Sequence, residues 1–154
     1  MEFGRIEREI RIDATPEVVY EVVSSPEHLR EWWPDEAEFE PVVGGTGSIT
    51  FGDPASPEAK VEQLTVVEAD PPRRFAFRWV HDKGVVAAPD NSLLVTMDLV
   101  ASDGGTLLRF TETGFRERGW EAAVLEQAYR DHSSGWDHFL PRLVTRAESL
   151  VARP

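Results

Sequence analysis

The sequence predicts an α+β fold: an antiparallel sheet of about seven strands, two short helices after strand one, and a long C-terminal helix over the sheet. Three observations carry this reading. Short runs with a period of two, separated by Gly- and Pro-rich turns, fill the middle of the chain. Two proline-marked helix starts follow the first such run. The last third changes to steps of three and four and keeps them from Leu125 to Leu150.

Each element has a local cause. From about Phe3 to Ile12, Ile6, Ile10 and Ile12 alternate with Glu7, Glu9 and Arg11, which is a half-buried strand with Arg8 as the exception. Thr15 can cap a helix whose first position suits Pro16 and whose positive end suits Glu17, and Val18, Val19, Val22 and Val23 give it an apolar face. Ser25-Pro26-Glu27 repeats the signal and opens a second short helix that runs into Trp32-Trp33-Pro34. Phe39 is expected in a short strand, Gly44-Gly45-Thr46-Gly47 in a turn, and Ile49 and Phe51 in the next strand. Lys60 to Glu68 reads as a strand, Asp70-Pro71-Pro72 as a turn, and Phe75, Phe77 and Trp79 as one face of the following strand. After a loop from Asp82 to Asn91, Leu93, Val95, Met97 and Leu99 alternate; Asp103-Gly104-Gly105 turns, and Leu108 and Phe110 continue on the partner strand. Strands this closely spaced form an antiparallel meander. Leu125, Tyr129, His132, Trp136, Phe139, Leu140, Leu143, Ala147 and Leu150 make one stripe of a helix about 45 Å long at 1.5 Å per residue. Pro141 lacks an amide proton, so a kink is expected there.

Composition narrows the function classes. The 154 residues suit a single domain over 1–154, and 41% hydrophobic residues are enough for a real core. Sixteen basic against 28 acidic residues give a net charge of −12, a field that repels nucleic acid and anionic membrane surfaces. With no cysteine there is no disulfide, thiolate nucleophile or zinc-thiolate site. The charged N-terminus does not resemble a signal peptide, no apolar run is long enough to span a membrane, and the expected location is the cytoplasm.

Four signals in order resemble a known family. They are Ser25-Pro26-Glu27-His28-Leu29-Arg30-Glu31-Trp32-Trp33-Pro34, then Gly44-Gly45, then Phe110-Thr111-Glu112-Thr113-Gly114-Phe115, and last Gly135-Trp136-Asp137-His138-Phe139-Leu140-Pro141-Arg142-Leu143. Together they resemble the START-like (SRPBCC) superfamily, and within it the branch named after the activator of the heat-shock-protein-90 ATPase. The chain departs from that branch at Pro141, where a helix former such as aspartate is usual. The resemblance covers nearly the whole chain. It implies the helix-grip, birch-pollen-allergen-like fold, in which a curved antiparallel sheet wraps a C-terminal helix around a cavity. The superfamily hosts binders, transporters, cyclases and chaperone cofactors, so the fold alone names no activity.

The residues that could act are few. Phe75, Phe77 and Trp79, with Trp136 opposite, are either ordinary core or the lining of a cavity. Gly135 in mid-helix, which costs about 1 kcal/mol against alanine, suits close packing or open space beside Trp136. One ring of Trp32-Trp33 should be buried, and the other could pack, gate the cavity or meet a partner. Glu112 shares the face of Leu108 and Phe110, where an unpaired carboxylate is expensive; it is either solvated, paired with Arg78 or Arg109, or a general base. His132 is on the helix stripe and either reaches into the cavity or is a hydrogen-bonded core residue. His132 and His138, six apart, point about 120° away from each other and cannot share a metal. Phosphate loops and dinucleotide fingerprints are absent, and neither a metal nor a cofactor is expected.

The leading expectation is a binding protein that holds a small apolar or aromatic molecule between the sheet and the last helix. Trp33, Phe39, Phe51, Phe77, Trp79, Met97, Phe110, Glu112, His132, Trp136 and Leu140 would form its site, with Glu112, His132 and Arg78 fixing orientation. The second expectation is a co-chaperone-like module with a chaperone or other protein partner, marked by an exposed apolar patch at Trp32-Trp33 over a filled interior. The third is a cyclase or hydrolase using Glu112.

Overall fold

Alternating apolar residues build a seven-stranded antiparallel sheet, and the three- and four-step stripe builds the helix that crosses it. The computed structural model describes residues 3–151. In chain order the elements are β1 (Arg5–Ile12), α1 (Pro16–Ser24), α2 (Pro26–Trp32), β2 (Glu36–Glu38), β3 (Thr46–Phe51), β4 (Lys60–Asp70), β5 (Arg74–His81), β6 (Leu93–Ser102), β7 (Gly105–Thr113) and α3 (Ala122–Val151). The sheet order is β1-β7-β6-β5-β4-β3-β2, a meander with β1 closing on β7. The sheet is curved and open, as in the helix-grip fold. Among the described residues, no helix is long and apolar enough to cross a membrane.

Register lines up the inner face. Ile6 lies opposite Glu112, and Glu112 lies opposite Val95. Val95 in turn faces Phe77, which faces Val66. The neighbouring row is Phe110, Met97 and Phe75. All of these side chains are buried. Arg8, the exception in β1, stays on the inner parity but sits at the sheet edge. There its guanidinium donates to Asp137 Oδ1 at 2.9 Å and Ser133 Oγ at 2.9 Å, fastening β1 to α3.

The helices dock where their caps aim them. The Thr15 hydroxyl accepts from the Val18 amide, and α1 buries Val19, Val22 and Val23. Ser25 differs from the expected cap: it follows α1 directly, its amide donates to the Glu21 carbonyl, and its side chain makes no capping bond. The α1–α2 corner is held by Trp32, whose indole donates to the Val22 carbonyl at 2.9 Å. In α3 the buried residues are Trp136, Leu140, Leu143 and Ala147, spaced as the stripe requires, and the helix continues as one element through Pro141. This helix approaches β1, α1 and α2 most closely. Large aromatic side chains span the wider gap to the middle strands, with Trp136 4.6 Å from Phe110 and 5.0 Å from Trp33 between ring centroids.

Several expected boundaries move: β4 runs on to Asp70, and β3 and β7 begin inside the expected turns, at Thr46 and Gly105. Phe3 lies in a turn before β1, and Phe39 lies just beyond β2, whose three residues end at Glu38. Phe39 is buried all the same. Phe77 occupies the centre of the inner face with 1% of its surface exposed. Phe77→Ala is therefore expected to cost about 3–5 kcal/mol in chemical denaturation, whereas Val86→Ala, at a side chain 86% exposed, should change stability by less than about 0.5 kcal/mol.

Candidate functional site

A carboxylate without solvent sits at the centre of the molecule. Glu112 projects from β7 on the inner face and has no exposed surface. Two indole N–H groups and one imidazole nitrogen surround it. The Trp79 indole donates to Oε2 at 2.7 Å, the Trp136 indole donates to Oε1 at 2.8 Å, and His132 Nδ1 lies 2.9 Å from Oε1. Trp79 comes from β5, while His132 and Trp136 are four apart on α3 and therefore share one face. Neither arginine considered as a partner reaches it. Arg109 alternates to the outer face and pairs with Glu9 at 3.1 Å. Arg78 alternates between Phe77 and Trp79, where burial pulls its guanidinium below the usual range and Glu117 opposes that shift.

Above this cluster is a cleft of about 210 Å³. Trp33, Trp79 and Trp136 are its buried walls, Phe51 and Phe139 are half-exposed beside them, and His132 and Gly135 contribute from α3. The tryptophan centroids stand 5.0–6.1 Å apart, in ring contact, so the space lies beside the rings and not between them. A Cβ added at Gly135 would meet nothing within 4 Å, so this residue leaves the space open. Val80 also lines the cleft, with a φ of 63° that is strained for a β-branched residue. It is the extra residue where pairing shifts from Gln63–His81 to Leu64–Trp79, and Arg118 donates to its carbonyl at 2.8 Å.

The predicted residues therefore fall into three groups. Trp33, Phe51, Trp79, His132 and Trp136 line the cleft. Glu112 lies beneath it, sealed by Trp79, His132 and Trp136, with Phe77 packed on Trp33 and Phe110 packed on Trp136. Phe39, Met97 and Leu140 are core residues away from the cleft. Of the four histidines, His132 alone lines the cleft; Arg146 donates to His28, His81 is bonded to Thr65, and His138 meets Phe139 edge-on. Both Trp32 and Trp33 are buried, at 0% and 5% exposure, so the pair offers no surface patch.

Lys60, Glu62, Val80, Asp131 and Phe139 were not among the expected site residues. Strand parity was a usable signal for two of them, because Lys60, Glu62, Leu64 and Val66 share one face of β4. Glu62 is the electrostatic surprise. Burial pushes its carboxyl above the ordinary range, opposed by the neighbouring basic groups Lys60, His132 and Arg118. A carboxyl with a raised folded-state pKa binds its proton more tightly in the native protein. Its favourable contribution is complete at acid pH and is lost as pH rises through the carboxylate range. Glu62→Gln should remove that loss. Chemical denaturation across a pH series is expected to show wild type falling behind the variant from about pH 4 upward. Parallel curves would contradict the assignment.

Known proteins share the fold. A protein from Rhodobacter sphaeroides is similar over 97% of this chain and 95% of its own, with 25% identity and a TM-score of 0.71. Protein NE0264 from Nitrosomonas europaea has a TM-score of 0.75 at 12% identity, covering 97% of each chain. The Aha1 dimer from Colwellia psychrerythraea has a TM-score of 0.63 at 21% identity, covering 90% of this chain and 92% of that one. No curated protein matches the sequence. Residues 13–148, from the turn before α1 to the last turns of α3, match the family described as activator of Hsp90 ATPase homolog 1-like protein. With nearly the whole sheet and both ends of the grip inside that match, the chain belongs to this family.

Proposed function

We propose that the chain is a binding protein for a small apolar or aromatic molecule about the size of one substituted ring. The observation that supports this is the cleft of about 210 Å³ walled by Trp33, Trp79 and Trp136 and kept open at Gly135. Its size sets the ligand class. An apolar cavity of roughly 150 Å³ accommodates benzene, whereas pockets for drug-sized ligands begin at about 300 Å³. A lipid or polycyclic molecule would need the aromatic cluster to part, and that cluster is close-packed around Trp33. Removing apolar surface from water supplies the driving force, at about 25 cal/mol per Å². A protein-partner reading through Trp32-Trp33 has no support in the surface, since both rings are buried.

Toluene is a suitable probe, followed by tryptophan fluorescence or by amide shifts of cleft residues. Wild type should show saturable binding. Gly135→Leu fills the open space from the helix side and should weaken binding at least tenfold while unfolding cooperatively. Gly135→Ala adds one methyl, should retain binding, and should gain up to about 1 kcal/mol of stability from helix propensity. No saturable binding in wild type, or equal binding in Gly135→Leu, would overturn the proposal.

A further inference from the structure

The donors around Glu112 have a consequence for the cleft that apolar burial does not supply. Two of its three partners, the indoles of Trp79 and Trp136, can only donate, so the carboxylate acts as the acceptor at both oxygens. With the third partner at 2.9 Å, the proton of a neutral His132 is held on Nδ1. The ring is fixed as well as its tautomer, standing 5.3 Å from Trp79 and 5.5 Å edge-on to Phe115. His132 lines the cleft with 20% of its side chain exposed, which leaves Nε2 as a lone-pair acceptor beside the aromatic walls of Trp33, Trp79 and Trp136.

We infer that His132 Nε2, oriented through Nδ1 by Glu112, is the recognition atom of the cleft and selects neutral rings that carry a hydroxyl, such as phenols. This rests on the cleft holding a single ring, as proposed above. In the complex the ligand hydroxyl donates to Nε2 and the ring lies against Trp33 and Trp136. The charges around the cleft argue for a neutral donor over an anion. Glu62 on β4 and Asp131 on α3 flank it and Glu112 lies below, against Lys60 on β4 and Arg118 beyond β7. A net charge of −12 acts in the same direction. Glu112 is thus a positioning residue: it is sealed away from ligand and acts through the imidazole.

Phenol and toluene differ by the hydroxyl and little in shape, so their affinities form the test. Wild type should prefer phenol roughly tenfold, the scale of one pre-aimed hydrogen bond. His132→Phe should bind both equally, because it keeps a ring and loses the acceptor. In Glu112→Gln the amide NH₂ meets an indole donor whichever way it is turned, so the hold on the imidazole loosens and the preference should shrink. Imidazole ¹⁵N shifts of the wild type read the tautomer without any variant and should show Nδ1 protonated and Nε2 bare. The inference is overturned if toluene binds as tightly as phenol, if the preference survives His132→Phe, or if the wild-type proton resides on Nε2. If neither probe binds, the ring-binding cleft itself falls and this inference falls with it; binding of toluene alone or of both equally leaves the cleft standing and removes only the dyad.

Discussion

A carboxylate buried at the centre of an apolar face dictates much of this architecture. Glu112 is out of contact with water, and an uncompensated charge in that position costs several kcal/mol even after relaxation, so its partners must be present whenever the chain is folded. Those partners come from β5 and from one face of α3. The helix therefore cannot slide or rotate over the sheet without breaking two hydrogen bonds to a buried acceptor. Apolar packing between α3 and the sheet is non-directional and would tolerate such shifts. The three donors convert that packing into a single register, and Arg8 at the sheet edge adds a second fastening to Asp137 and Ser133.

Specifying the register also creates the cleft. Trp79 and Trp136 are turned so that their indole nitrogens meet Glu112, and Trp33 packs against both rings. Rings fixed by hydrogen bonds cannot rotate freely to fill neighbouring space. Gly135 supplies no side chain, and the bulge at Val80 bends β5 at the same place. The remaining hollow has aromatic walls, charged groups at Lys60, Glu62 and Asp131, and one imidazole, His132, held by the same carboxylate. Structural and recognition roles thus meet at Glu112: one side of its donor set anchors the helix, and the other aims an imidazole into the cleft.

Much of the fold was legible because it depends on local periodicity. The alternation of Leu93, Val95, Met97 and Leu99, and the stripe from Leu125 to Leu150, each state a face without reference to the rest of the chain. Parity also placed Glu112 on the inner face with Leu108 and Phe110. Its partners were harder, because Trp79 lies 33 residues away and Trp136 lies 24 away, and no local rule links those positions. Parity consistently applied would have excluded Arg109 and Arg78, which alternate away from the inner face, and would have brought Lys60 and Glu62 into the site. The extents of β1 and β2 were less legible at Phe3 and Phe39, since an apolar residue can be buried beside a strand end without belonging to the strand.

The central claim is that Glu112 accepts hydrogen bonds from both indoles in the folded protein, and hydrogen exchange of the tryptophan side chains tests it most directly. Trp120 is half-exposed and stacks under Arg118, which makes it an internal reference. The Nε1 protons of Trp79 and Trp136 should exchange only through global unfolding, with protection matching the stability from denaturation, while Trp120 exchanges orders of magnitude faster. Exchange of Trp79 and Trp136 at the Trp120 rate would mean that the carboxylate does not hold them, and the helix would then rest on apolar packing alone.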